Sequence, residues 1–459
     1  MKKMLFAVLA ACSLLFAESY QINTLSAKQL GMGHTGAGLK LGSESMHFNP
    51  GGLGFLDKTL DISAGATFIM PEVEFYGSQG KAVNDKLGTP LYVYVASSVT
   101  DWFSAGLSFT TPYGNSADYG KNWEGAGLLQ DISLAVYALQ PTVAFKFLDQ
   151  ISVGGGLAIY FGSFEQSKAL VTPGRLNPLM QTPLAAHPAV PGIVDKYKNT
   201  SAVSATLSGD ADVAVAANVG IQYDLLPNKL ALGIAYRSEA KMKVAKGKTK
   251  INYEDKSDIE TLNTINPGTV QIPALDQGNF EAELPLPANL NTGISFRPIE
   301  KLVLAFDWQM VFWGTYKDLT LDFTDNVILG VNPSTGEFVH SLASQKKYNN
   351  TFAYRLGAQY TVIDQLDVRL GVYYDETPVD DDYLTPESPS TNKLGSTIGF
   401  SFRPISNLSI DASFLYSNGS GSLGRDATSG SNPDKVGDGL NGRYEVQAWV
   451  PSVGVSFNF

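Results

Sequence analysis

The chain ends on Ser452-Val453-Gly454-Val455-Ser456-Phe457-Asn458-Phe459, in which every second residue is apolar up to the last one. Successive side chains of a strand point to opposite faces, so a period of two marks a strand with one apolar and one small or polar face. The pattern recurs at Ile151, Val153, Leu157, Ile159 and Phe161 against Ser152, Gly154, Gly156 and Ala158. It recurs again at Leu366, Val368, Leu370, Val372 and Tyr374 against Asp367, Arg369 and Gly371. Alternation alone fits a soluble sandwich, whose apolar face points inward, or a membrane barrel, whose apolar face points outward.

Strand length and connections separate the two. Followed from 59–70 through 102–111 to 445–459, the pattern predicts about fourteen strands near the length of a tilted transmembrane strand. Thr100-Asp101, Leu148-Asp149-Gln150, Ile363-Asp364 and Pro404-Ile405-Ser406 are tight connections, and long loops lie between them. Short turns at one end and long loops at the other mark outer-membrane barrels. An all-β, transmembrane antiparallel β-barrel is therefore predicted over 58–459. A closed sheet pairs every backbone N–H and C=O in lipid without helices. Trp102, Phe103, Trp308, Trp313, Tyr316 and Trp449 stand near strand ends and suit interfacial girdles, with some of them lining the lumen.

Lys2 and Lys3, the apolar run 4–16, and Ala17 before Glu18-Ser19 read as a secretory signal peptide over 1–17. Leu9-Ala10-Ala11-Cys12 also fits a lipoprotein cleavage box, though with a very short apolar run. Cys12 is the single cysteine, so cleavage after Ala17 would leave no disulfide, thiol nucleophile or thiolate metal site. No later apolar run approaches the ~20 residues of a membrane helix. The net charge of −11 argues against nucleic acid as a partner, because phosphate neutralisation needs clustered Lys and Arg.

Residues 18–57 differ from the rest. Gly31, Gly33, Gly36, Gly38, Gly42, Gly51, Gly52 and Gly54 interrupt short apolar stretches, which predicts compact loop. A barrel of about fourteen strands has a lumen too wide for side chains alone to fill, so this segment is expected to fold inward as a hatch. Gly31-Met32-Gly33-His34-Thr35-Gly36 matches the dinucleotide fingerprint G-x-G-x-x-G, but no strand precedes it and no amphipathic helix follows.

Ser19-Tyr20-Gln21-Ile22-Asn23, Leu30-Gly31-Met32-Gly33 and Phe48-Asn49-Pro50-Gly51 resemble the hatch of the FadL family of outer-membrane long-chain fatty-acid transporters. The likeness continues through Tyr236-Arg237-Ser238-Glu239, Leu284-Pro285-Leu286-Pro287, Trp313, Tyr354-Arg355-Leu356-Gly357, Tyr373-Tyr374-Asp375-Glu376-Thr377-Pro378-Val379 and Phe459. Two departures stand out: Gly51 where the family usually has Ala, and Pro112 where it tends to have a polar residue. The resemblance implies a fourteen-stranded barrel with a hatch, and passive uptake of long-chain fatty acids or related hydrophobic molecules. Aromatic or other hydrocarbons are the alternative cargo; a general porin or a lipid hydrolase would be a different class.

An apolar ligand needs apolar stepping stones, since each methylene favours burial by about 0.8 kcal/mol. The external loop 170–194 carries Leu176, Leu179, Met180 and Leu184 among five prolines and little charge. It reads as a binding surface or as loop-on-loop packing. Phe48, Leu53 and Phe55 are candidates for lining a lumen pocket. By resemblance, Lys168 falls near a position where a basic residue faces the ligand carboxylate; otherwise it is an exposed loop lysine. Pro112-Tyr113-Gly114 would end the third strand, since proline removes a ladder donor and glycine permits a kink. The resemblance makes that kink a lateral exit. Asn49 and Pro50, with Gly51, are expected to hold the hatch against it.

Catalysis finds no support. His34, His47, His187 and His340 fall in hatch or loops, and no G-x-S-x-G occurs. No cofactor or metal is expected; Asp375, Glu376, Asp380, Asp381 and Asp382 could hold Ca²⁺ but read first as a solvated acidic loop. The expected partners are the hydrophobic ligand, outer-membrane lipid and lipopolysaccharide, and the barrel-assembly machinery, with the chain acting as a monomer.

Overall fold

The computed structural model describes residues 19–56, 59–331, 337–380, 383–423 and 440–459. The leader read over 1–17, and Asp381 and Asp382, lie outside them.

Fourteen antiparallel strands follow one another round a single sheet. They are β1 (Leu60–Thr67, continued by Met70–Gly77), β2 (Gly80–Asn84 and Leu91–Thr100), β3 (Phe103–Asp118), β4 (Asp131–Phe147), β5 (Ile151–Val171), β6 (Val203–Leu226) and β7 (Leu230–Arg237 and Ala240–Tyr253). The circuit continues with β8 (Asn279–Leu286 and Asn289–Ile299), β9 (Leu302–Val311 and Asp318–Phe323), β10 (Ser341–Gln345 and Thr351–Ile363), β11 (Leu366–Asp375), β12 (Lys393–Ile405), β13 (Leu408–Leu423) and β14 (Gly442–Asn458). β1 pairs with β14 from Asp61↔Asn458 to Thr67↔Ser452, which closes the barrel. Tight turns join alternate strands. Leu148 and Asp149 turn β4 into β5 with φ of +51° and +56°, the primed geometry that suits twisted hairpins.

The alternation is inside out. Val93, Leu107, Val143, Leu157, Ile221 and Ile234 are exposed on the outer wall, whereas Ser63, Ser104, Gln140, Ser152, Gln222 and Asp411 are buried inside. Only lipid makes such an exterior favourable. Inward charges pair across strands: Arg403 Nη1 on β12 donates to Asp367 Oδ2 on the adjacent β11 at 2.6 Å, and Arg369 Nη1 on β11 lies 3.4 Å from Asp411 Oδ1, two strands away on β13. Asp375 is likewise buried, 3.8 Å from Arg355, so it does not belong to a solvated acidic loop. Trp102 and Trp449 are exposed, as a girdle requires; Trp313 and Tyr316 are buried inside instead.

Residues 19–56 form two short helices, α1 (Ala27–Gly31) and α2 (Ser45–Phe48), joined by turns. Ser26 caps α1 by accepting from the Gln29 N–H at 3.0 Å. The segment bonds to strands all round the circuit. Ala27 N–H donates to Tyr92 Oη at 3.0 Å, Gly33 N–H to Thr397 Oγ1 at 3.0 Å, and Gly36 and Ala37 N–H to Asp307 Oδ2 at 2.6 and 2.7 Å. A segment that touches β2, β9 and β12 together lies in the lumen. Its glycines permit backbone-to-wall contact: Gly33 has φ +64°, and a Cβ there would stand 2.5 Å from the Leu356 carbonyl oxygen. The fingerprint-like glycine spacing thus serves packing against β10 to β12, with Gly31 against Gly399.

Candidate functional site

Along β4 one inward face changes character. Ile132, Leu134, Val136 and Ala138 point in at the long-loop end, while Gln140 and Thr142 point in beside the N-terminal segment, where Gln140 donates to the Met46 carbonyl at 2.7 Å. β7 contributes Met242 and Val244 to the apolar half, β8 Ala282 and Leu284, β9 Leu319 and Leu321, and β5 Phe164. Together they line a narrow cavity of about 80 Å³. That is room for a few waters, so a long alkyl chain enters only as side chains move.

The Tyr20 ring, from the N-terminal segment, closes one side of this cavity. It meets Trp313 edge-on at 4.9 Å and Tyr316 at 5.9 Å, and its hydroxyl donates to the Pro285 carbonyl. At the polar end the Lys346 ammonium and the Glu387 carboxylate form an ion pair whose lysine is almost wholly buried. Lys168, on β5, lies within electrostatic reach of both. Burial acts to raise the Glu387 carboxyl, but the ammonium groups of Lys346 and Lys168 outweigh it and hold it below the usual carboxylate range.

The barrel wall is incomplete beside this cavity. β2 pairs with β3 as far as Tyr92↔Thr110, and then leaves it to bridge β1 at Gly88↔Ile69. β3 carries an extra residue between Thr110 and Tyr113 and continues to Asp118, so Pro112-Tyr113-Gly114 does not end the strand as its composition suggested. Proline sits where no N–H is needed, and the bulge bends the strand without stopping it. The edge vacated by β2 is taken by the N-terminal segment: Ile22 N–H donates to the Pro112 carbonyl at 2.9 Å, and Gly114 N–H to the Tyr20 carbonyl at 2.9 Å. Above the gap, Asp118 N–H reaches Asn84 Oδ1 at 2.9 Å.

The other site residues read from the sequence are dispersed. Asn49 does not hold the segment against β3. Its amide donates to the carbonyls of Ala37 and Ile221 at 2.7 and 3.1 Å and to Gln222 Oε1 at 3.0 Å, and its oxygen accepts from Gly51 N–H at 3.0 Å. The anchor is therefore β6, with Pro50 against Gly154 of β5 and Gly51 against Gln222. Phe48, Leu53 and Phe55 do not line the apolar cavity. Phe48 stacks edge-on against His47 at 5.0 Å, Leu53 is buried among Met46, Tyr92 and Tyr94, and Phe55 lines a polar cavity near the short turns with Lys28, Lys40 and Asp224. In loop 170–194, Leu176 is buried with α3 (Ala189–Lys196) and α4 (Lys256–Ile265), and Leu179 and Leu184 lean on that cluster; only Met180 of the four is exposed. Lys196 ties the two helices through Asp255 and Asp258 at 3.0 and 2.7 Å. Loop-on-loop packing accounts for most of that apolar content.

Tyr20, Tyr316, Tyr348, Lys346 and Glu387 line the cavity without having been singled out for it. Tyr20 and Tyr316 carried a signal of a kind, as members of a hatch motif and of an aromatic group that had to divide between girdle and lumen. Lys346, in the break within β10, and Glu387, between β11 and β12, carry no local pattern.

Comparison with known proteins agrees with this architecture. A model of the family described as outer membrane protein transport protein (OMPP1/FadL/TodX) matches residues 8–459. A long-chain fatty acid transport protein of Escherichia coli is 23% identical over 418 residues, 88% of this chain and 87% of that protein. Outer membrane protein P1 of Haemophilus influenzae is 22% identical over 450 residues, 91% of each. Among solved structures, a Pseudomonas aeruginosa FadL homologue superposes with a TM-score of 0.73 at 20% identity, covering 96% of this chain and 100% of that one. The Pseudomonas putida toluene transporter TodX gives 0.66 at 16%, covering 97% and 99%. Matched along nearly its whole length and built as the same barrel, this chain belongs to the OMPP1/FadL/TodX family of outer-membrane transport proteins and is not an enzyme.

Proposed function

We propose that the protein admits hydrophobic small molecules, long-chain fatty acids or similar compounds, across the outer membrane by way of the apolar cavity and a sideways exit between β2 and β3. The observation that carries this reading is the contiguity of the two: Tyr20 and Asn115 line the cavity and also border the stretch of β3 that β2 abandons. A ligand held against Leu134, Val136 and Leu284 would leave into lipid without crossing the polar lower lumen, where Gln140, Asn218 and Gln222 are bonded to the N-terminal segment. Apolar cargo gains nothing from that wet path, since every methylene favours an apolar one. The relatives named above for fatty acid and toluene transport support an apolar cargo. Residues 19–56 act as the hatch, and Met180, exposed on the external loops, marks where ligand first lands.

The deciding experiment expresses the protein in a Gram-negative host lacking its own hydrophobic-compound transporter. Uptake of a radiolabelled long-chain fatty acid and steady ion conductance in planar bilayers are measured together. Uptake with a nearly silent bilayer is the expected result. Steady conductance without uptake would instead make it a porin.

A further inference from the structure

The cavity's polar end is already occupied by a carboxylate of the protein itself. Glu387, between β11 and β12, lines the cavity and pairs with Lys346, which is almost wholly buried. Glu387 is held in place from other directions too. Its carbonyl accepts from Asn115 Nδ2 at 2.6 Å, and the neighbouring Ser388 Oγ lies 3.5 Å from Ser19 Oγ. Lys168 also lies within reach of the same negative charge.

We infer that Glu387 is a specificity-determining residue: it acts as a tethered competitor at Lys346, so the cavity disfavours ligands with an anionic head relative to uncharged ligands of the same length. This rests on the cavity being the ligand site. A ligand carboxylate can reach Lys346 only by replacing Glu387, one carboxylate for another. The internal group is present at high effective concentration and loses no translational freedom on binding, so the exchange runs against the ligand. An alcohol or hydrocarbon leaves the pair intact and loses nothing there. An unpaired charge in such a place would be costly, which keeps the pair closed until something of equal charge replaces Glu387.

The test measures binding of hexadecanoate and of hexadecan-1-ol to the purified full-length barrel in detergent, near pH 8, where the free acid is ionised. Glu387→Gln removes the competitor. The ratio of carboxylate to alcohol affinity should rise about ten- to a hundredfold, the worth of one charge-assisted hydrogen bond. Asn115→Ala leaves the ion pair chemically intact but frees the loop that presents Glu387. It should raise the ratio a few-fold by lowering the effective concentration, and it remains decisive if the Gln variant fails to give a heat-modifiable barrel. An unchanged or lower ratio in the folded variants overturns the inference while leaving the uptake reading in place. A wild-type barrel that binds neither probe removes both.

Discussion

The backbone N–H of Ile22 donates to the carbonyl of Pro112 at 2.9 Å, so the start of the N-terminal segment supplies the β-pairing that β2 withdraws from β3. A Cβ added at Gly114 would stand 3.1 Å from Ile22 Cδ1 and 3.2 Å from the Leu134 carbonyl, and valine adds two methyls beyond it. Gly114→Val should therefore fold but lower uptake of hydrophobic substrate severalfold, by wedging the segment against the gap. Tyr20→Ala, which opens the cavity beside Trp313, should shift uptake toward bulkier ligands. Labelled uptake, normalised to heat-modifiable barrel, checks both. Wild-type transport by both variants at equal folded levels would remove the lateral route.

Plug anchoring gives a separate expectation. Asn49→Ala removes three donated bonds and one accepted bond at a wholly buried position. Each buried partner left unsatisfied costs about 1–3 kcal/mol. Gly233→Ala attacks the same docking from the wall, because its Cβ would collide with the Ala37 carbonyl. Both should leave the barrel inserted yet raise ion conductance in planar bilayers. Gly192→Ala, with nothing within 4 Å of the added Cβ, is the control.

The C-terminus carries an assembly expectation. Phe459 is exposed, meets Phe457 edge-on at 4.3 Å and donates its N–H to the Leu60 carbonyl at 2.8 Å, across the seam where β14 meets β1. We propose Phe459 as the insertion signal; deleting it should lower outer-membrane levels sharply, and it also removes both backbone bonds to Leu60 across the seam, at 2.8 and 3.4 Å. Immunoblots of fractionated membranes read the outcome; undiminished levels would mean that insertion is signalled elsewhere.

Acid should loosen the plug. The His34 imidazole is held well below its usual range by burial and then by the positive charges of Arg355 and Lys393, and that of His47 by burial and then Arg237. Both pKa values are depressed in the docked state, so undocked imidazoles bind more protons. Their contribution to docking is present above about pH 6.5 and is lost as pH falls below it. Conductance should increase between about pH 7 and pH 5, and His34→Asn with His47→Gln should flatten that rise. His34 has φ +63°, which asparagine tolerates.

The period-two alternation and the unequal connections were enough to place all fourteen strands, because a lipid-facing wall writes one face of every strand in apolar residues. The glycines of 31–54 likewise announce a compact loop segment that folds inward, though not which wall it meets. Asn49 was legible as an anchor, yet its partners on β6 lie some 170 residues away in sequence, and no local spacing encodes them. From sequence β3 reads as ending at residue 111, because proline and glycine look alike in a strand end and in a bulge. Only the register with β4 distinguishes the two. The apolar residues of loop 170–194 could face ligand or α4, and packing chose α4 for most of them. Above all, the cavity's charge was decided by tertiary structure. Lys346, in the break between the two segments of β10, and Glu387, in the connection after β11, acquire a role only because barrel closure brings them to one lumen cavity.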